Sequence, residues 1–68
     1  MEAYEVRMIN ELYELESRLA KLNAYISATD DKGEEYILMI MQKKAMTEYR
    51  RALKKRCDLH GLGGAWHA

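Results

Sequence analysis

At 68 residues the chain has room for one small domain, and a core of that size rarely stabilises itself without a staple. Cys57 is the only cysteine, which excludes disulfides and a cysteine-based zinc cluster. The longest apolar run, six residues from Tyr36 to Met41, is far short of the roughly 20 needed to span a bilayer, and neither end has a signal-peptide pattern, so a soluble cytoplasmic chain is expected. Eleven bases balance eleven acids, and a neutral chain is a poor general DNA or RNA coat, because that affinity grows with the phosphates neutralised.

No proline, four glycines and abundant Glu, Lys, Leu, Met and Ala predict helix nearly throughout. The first helix is expected from about Glu2 to Ser27. Its main stripe, Met8, Leu12, Leu15, Leu19, Leu22 and Ile26, alternates spacings of four and three, a heptad seam. A thinner stripe of Val6, Ile9, Tyr13, Ala20 and Ala24 runs beside it, so this helix has two apolar edges. The polar segment Ala28 to Gly33 reads as a short turn, which makes the helices antiparallel neighbours. Asp31 followed by Glu34 reads as a capping box opening the second helix.

The second helix is expected over about 32–60, with Gly61 placed to end it in a left-handed turn. At about 100° per residue, Leu38, Met39, Met41, Ala45, Met46, Tyr49, Ala52, Leu53 and Cys57 cover roughly 160° of its circumference. One partner helix does not cover so wide an arc, so self-association is expected. Gln42, Arg56 and His60 lie inside the arc. A central polar residue at a seam commonly sets register or oligomer state, and that is the simpler role for Gln42. Arg56 needs an anionic partner, either a protein carboxylate such as Glu5 or Glu11, or the anion of a ligand.

Charge is uneven along the chain. Seven acids face three bases through Asp31, giving −4, and the remainder carries +4. Bases are dense from Lys43 to Arg56. They either neutralise the acidic first helix or form an anion site in which Arg50, Arg51, Lys55 and Arg56 hold phosphate. Tyr4, Tyr13, Tyr25, Tyr36, Tyr49 and Trp66 are rings able to stack on a base, with packing as the simpler role for each, and Tyr13, Tyr49 and Trp66 are the ones assigned to stacking. Residues 61–68 form a glycine-rich tail in which Trp66 either docks on an apolar edge or closes over a ligand. Cys57 and His60 stand three apart, yet no third group orients them, and no P-loop or dinucleotide pattern is present; no catalysis, cofactor or metal is expected.

The run Tyr4 to Ile26, with its Tyr4-x-x-Arg7-Met8 start, and the segment Gln42-x-x-Ala45-Met46-x-x-Tyr49 followed by Arg50, Arg51, Ala52, Leu53 and Arg56, resemble short phage-encoded helical-hairpin proteins, including those of crAss-like phages. More loosely, the chain is similar to the hairpin domain of phage sponges that sequester the nucleotide messengers of CBASS and Thoeris defence. The resemblance implies a phage origin, activity in the host cytoplasm, a helical hairpin and an oligomer. It further implies nucleotide pockets at subunit joints, with a cyclic oligonucleotide or cyclic ADP-ribose-type signal as ligand. The tail with Trp66 has no counterpart in that pattern.

The expectation is an all-α antiparallel two-helix hairpin over residues 1–60 that assembles with itself. Its expected function is non-catalytic sequestration of a nucleotide-derived signal. Arg56, Arg50, Arg51 and Lys55 hold phosphate, Tyr13, Tyr49 or Trp66 stack, and Gln42 and His60 line the pocket. The alternatives are a helical module that grips a host protein through its apolar arc, and a structural coiled-coil adaptor.

Overall fold

A computed structural model describes residues 2–62 and shows two antiparallel helices, α1 (Ala3–Ala28) and α2 (Glu34–Leu59), packed along their length as a rod of 45 × 18 × 17 Å. Trp66 lies outside the described residues. Neither helix is long and apolar enough to cross a membrane.

The heptad stripe of α1 forms the core as expected. Met8, Leu12, Leu15, Leu19 and Ile26 are buried, and only Leu22 is half-exposed. From α2 they meet Met39, Leu53 and Cys57, with Met46 half-buried beside them. The thinner stripe of α1 stays largely in solvent: Val6, Tyr13, Ala20 and Ala24 are exposed and Ile9 is half-buried. The wide arc of α2 is divided in the same way. Its inner part packs on α1, while Leu38, Met41, Ala45 and Ala52 face outward.

The start of α2 differs from expectation. Asp31 does not form a capping box with Glu34. Its Oδ1 instead accepts the Gly33 N–H at 2.8 Å, and the Thr29 hydroxyl oxygen accepts the Asp31 N–H at 3.3 Å. These local bonds occupy the aspartate two residues on, so Gly33 becomes the N-cap without a side-chain bond and the helix begins at Glu34 rather than residue 32. Glu34 and Glu35 then lie in the first turn, where the helix dipole favours negative charge.

The end of α2 is a complete Schellman turn. Gly61 takes φ +70°, its N–H bonds to the Asp58 carbonyl at 3.0 Å, and the Leu62 N–H reaches back to the Cys57 carbonyl at 2.8 Å. That return tucks Leu62 into the core beside Cys57. A Cβ on Gly61 meets nothing within 4 Å, so Gly61→Ala tests backbone strain alone. A loss of about 1–2 kcal/mol is expected, read as a lower urea midpoint at unchanged slope.

Cys57 has no exposed surface. Burial, and secondarily the neighbouring Asp58 carboxylate, push its thiol above the ordinary value of 9.0. Such a thiol acts as a small packed hydrophobe. The unfolded chain therefore ionises first as pH rises, so the thiol's contribution to the thermal midpoint is expected to be constant well below 9.0 and to be lost as pH rises above it. In Cys57→Ala that loss is expected to vanish.

Candidate functional site

Seven residues at the open end of the hairpin shape a polar recess. Tyr4, Arg7, Met8 and Glu11 of α1 face Tyr49, Leu53 and Arg56 of α2 across an open cleft of about 410 Å³. They meet because the helices are antiparallel. Tyr4, Arg7 and Glu11 flank the core stripe on one helix, while Tyr49 and Arg56 are a heptad apart on the other. Buried Met8 and Leu53 make the apolar floor.

The rim carries two phenol rings and two guanidinium groups. Tyr4 and Tyr49 are 43% and 46% exposed, so both side chains are partly open to solvent. The Tyr49 hydroxyl donates to Glu11 Oε1 at 3.3 Å. Partial loss of hydration, and secondarily the Glu11 carboxylate, raise its ionisation above the ordinary value of 10.0, which keeps it a neutral donor. Tyr4 is steadied from the other side. Its ring packs edge-on against His60 with centroids 5.2 Å apart, and its hydroxyl lies 3.5 Å from His60 Nδ1. Glu5 Oε2 is 3.8 Å from the same nitrogen. Among the described residues neither Arg7 nor Arg56 has an ion pair or side-chain hydrogen bond.

The structure sorts the residues named from sequence into several places. Arg56 and Tyr49 share the cleft, and His60 supports its edge through Tyr4. Arg50 is on the opposite flank, where it bonds Glu16, and the same carboxylate takes Lys54 at 3.6 Å. Arg51 pairs weakly with Glu48 on the surface at 3.9 Å. Lys55 borders a separate open recess with Asp58 and Leu59. Tyr13 lines a smaller recess with Leu12, Glu16 and Lys54. Gln42 is exposed and, among the described residues, its side-chain amide has one hydrogen-bond partner, Met46 Sδ at 3.9 Å, outside the cleft.

Arg56 is therefore not in an apolar interior. Its guanidinium sits at a solvated rim with no protein partner among the described residues. The sequence reading gave Arg7 no role, named Tyr4 only among the rings able to stack, and named Glu11 only as a possible ion partner of Arg56, so it did not assemble this group. The signal was present in their spacing of three and four along the edge of the Met8 stripe, opposite the Tyr49 to Arg56 edge once the helices are antiparallel.

No curated protein and no solved structure matches the chain. A family model described as Sequestin matches residues 2–59, both helices and the turn, and with them every residue of the cleft. The chain belongs to the Sequestin family.

Proposed function

We propose that this protein is a non-catalytic binder that sequesters a nucleotide-derived signal in the cleft at the open end of the hairpin, as a self-associated protein of phage counter-defence. The observation that carries the reading is the pairing of two solvent-facing guanidinium groups, Arg7 and Arg56, with two exposed tyrosine rings around one recess. Guanidinium groups grip phosphate through paired, charge-assisted hydrogen bonds, and tyrosine faces stack on bases without demanding a sequence. Glu11 adds selectivity. Its carboxylate accepts hydrogen bonds and repels phosphate, so it suits the exocyclic amino group of a purine held over the tyrosines while the phosphates lie toward the arginines. The family name agrees with retention rather than turnover of what is bound.

The cleft is open along one side, and a single hairpin encloses a ligand only partly. A tight binder buries most of its ligand, so a second copy is part of this reading. Calorimetry against cyclic di- and trinucleotides and cyclic ADP-ribose isomers tests it. Saturable heat with a purine-containing member, returned intact on denaturation, is the expected result. Absence of heat across the panel at micromolar concentrations overturns it.

A further inference from the structure

On the face of α2 turned away from α1, the residues Leu38, Met41, Ala45, Glu48, Ala52, Lys55 and Leu59 recur at spacings of three and four, and every one of them is exposed. This is a second heptad seam, complete over the length of the helix and unused within the hairpin. Its large members are well exposed and lie in line: Leu38 51%, Met41 61% and Leu59 87%. Its two alanines, at the middle, allow helix axes to approach closely.

We infer that this seam is where a second copy of the chain docks, as an antiparallel α2–α2 pair in which Met41 packs on the partner's Leu59. The inference rests on the self-association proposed above and specifies its surface and register. Charge selects the direction. A parallel pair sets Glu48 against the partner's Glu48 and Lys55 against the partner's Lys55. The antiparallel pair instead brings Glu48 to the partner's Lys55, and along one flank Lys44 to the partner's Asp58. Apolar size selects the register. Aligning Met41 with the partner's Leu59 sets Ala45 opposite the partner's Lys55 and Glu48 opposite the partner's Ala52, so each long side chain crosses over a small one. One contact opposes this register: Arg51 meets the partner's Arg51 across the axis. Each has Glu48 of its own chain 3.9 Å away to offset it.

The other flank of the seam links this surface to the cleft. Gln42, Tyr49 and Arg56 follow one another at heptad spacing along it. In the antiparallel register Arg56 lies beside the partner's Gln42, and Tyr49 beside the partner's Tyr49. The partner thus supplies a polar amide and an aromatic ring to the open side of the cleft. Gln42, exposed and held among the described residues only by a 3.9 Å hydrogen bond to sulfur, gains a partner across the seam.

Two measurements decide the matter. In native mass spectrometry the wild-type chain is expected at twice its own mass or a multiple of that. Met41→Glu and Leu59→Lys are each expected to fall to the single-chain mass, and the doubly substituted chain, with opposite charges now facing across the seam, to recover the dimer. As a second reading, chains carrying Met41→Cys and Leu59→Cys are mixed and oxidised. The mixed disulfide is expected at least about tenfold over the disulfide formed with a chain carrying Lys43→Cys on another face, with buried Cys57 silent in all. A monomeric wild type overturns both self-association and this surface. A wild-type oligomer that ignores the Met41 and Leu59 substitutions and gives no mixed disulfide overturns this surface and leaves self-association standing. A wild type that gains mass only by retaining some other protein overturns the second copy as the occupant.

Discussion

Leu12→Ala is expected to leave the protein largely unfolded. Leu12 is 1% exposed and sits among Met8, Leu15, Leu53 and Cys57, so truncating it removes apolar burial and leaves a void that two helices closing on each other refill poorly. Such changes cost about 2–5 kcal/mol. Net stability is about 0.05–0.15 kcal/mol per residue, or about 3–10 kcal/mol for 68 residues, so the loss rivals the whole. Leu53→Ala, in the same buried cluster and 2% exposed, is expected to behave alike. The double variant should cost less than the two singles added, because both empty one cavity. The contrast is Tyr25→Ala, 62% exposed, for which the shift is expected to stay within about 0.5 kcal/mol. Circular dichroism with urea titration reads all four. A Leu12→Ala variant as helical and as cooperative as wild type would place the core elsewhere.

The second large effect concerns ligand retention. Arg56→Ala and Arg7→Ala are each expected to weaken binding by about 10- to 100-fold, the equivalent of about 1.5–3 kcal/mol for a hydrogen bond to a charged group. Arg56→Lys keeps the charge but loses the fork, so it should recover only part of the affinity. Arg50→Ala and Arg51→Ala serve as discriminating controls. Both bases belong to the dense basic stretch, but one is engaged by Glu16 and the other pairs weakly with Glu48, and neither lines the cleft. Their affinity is expected to stay within about twofold, since an exposed charge elsewhere contributes little. Equal losses at all four arginines would point to diffuse electrostatic attraction in place of a cleft.

These controls show how far the site was legible in advance. The helices and their inner stripes were readable because heptad spacing in a chain without proline leaves few competing structures, and Met8, Leu12, Leu15, Leu19 and Ile26 are buried accordingly. Arg56 stood out because it interrupts an apolar arc. Arg50 and Arg51 were grouped with it by nearness in sequence, yet one residue along a helix turns a side chain by about 100°. Glu11 was named as a possible partner of Arg56, but Arg7 and Tyr4 were harder to place because their relevance depends on which part of α1 lies opposite Arg56. That register is set jointly by the core and by a turn whose aspartate bonds Gly33 instead of capping the helix. Local hydrogen bonding at Asp31 thus misled the reading of one helix start, and long-range pairing hid half of the cleft.

The antiparallel hairpin also has a practical side. Residues 2 and 62 emerge at the same end of the rod, where Tyr4 touches His60 and the cleft opens. An affinity tag or fluorescent fusion joined next to residue 2 therefore starts beside the recess and is expected to compete with anything entering it. A reporter spliced into residues 29–33 sits at the far end of a 45 Å body, clear of the cleft, on a stretch that is mostly exposed and outside both helices. Binding assays on tagged protein and on loop-labelled protein should consequently disagree, with the loop-labelled form reporting the tighter affinity.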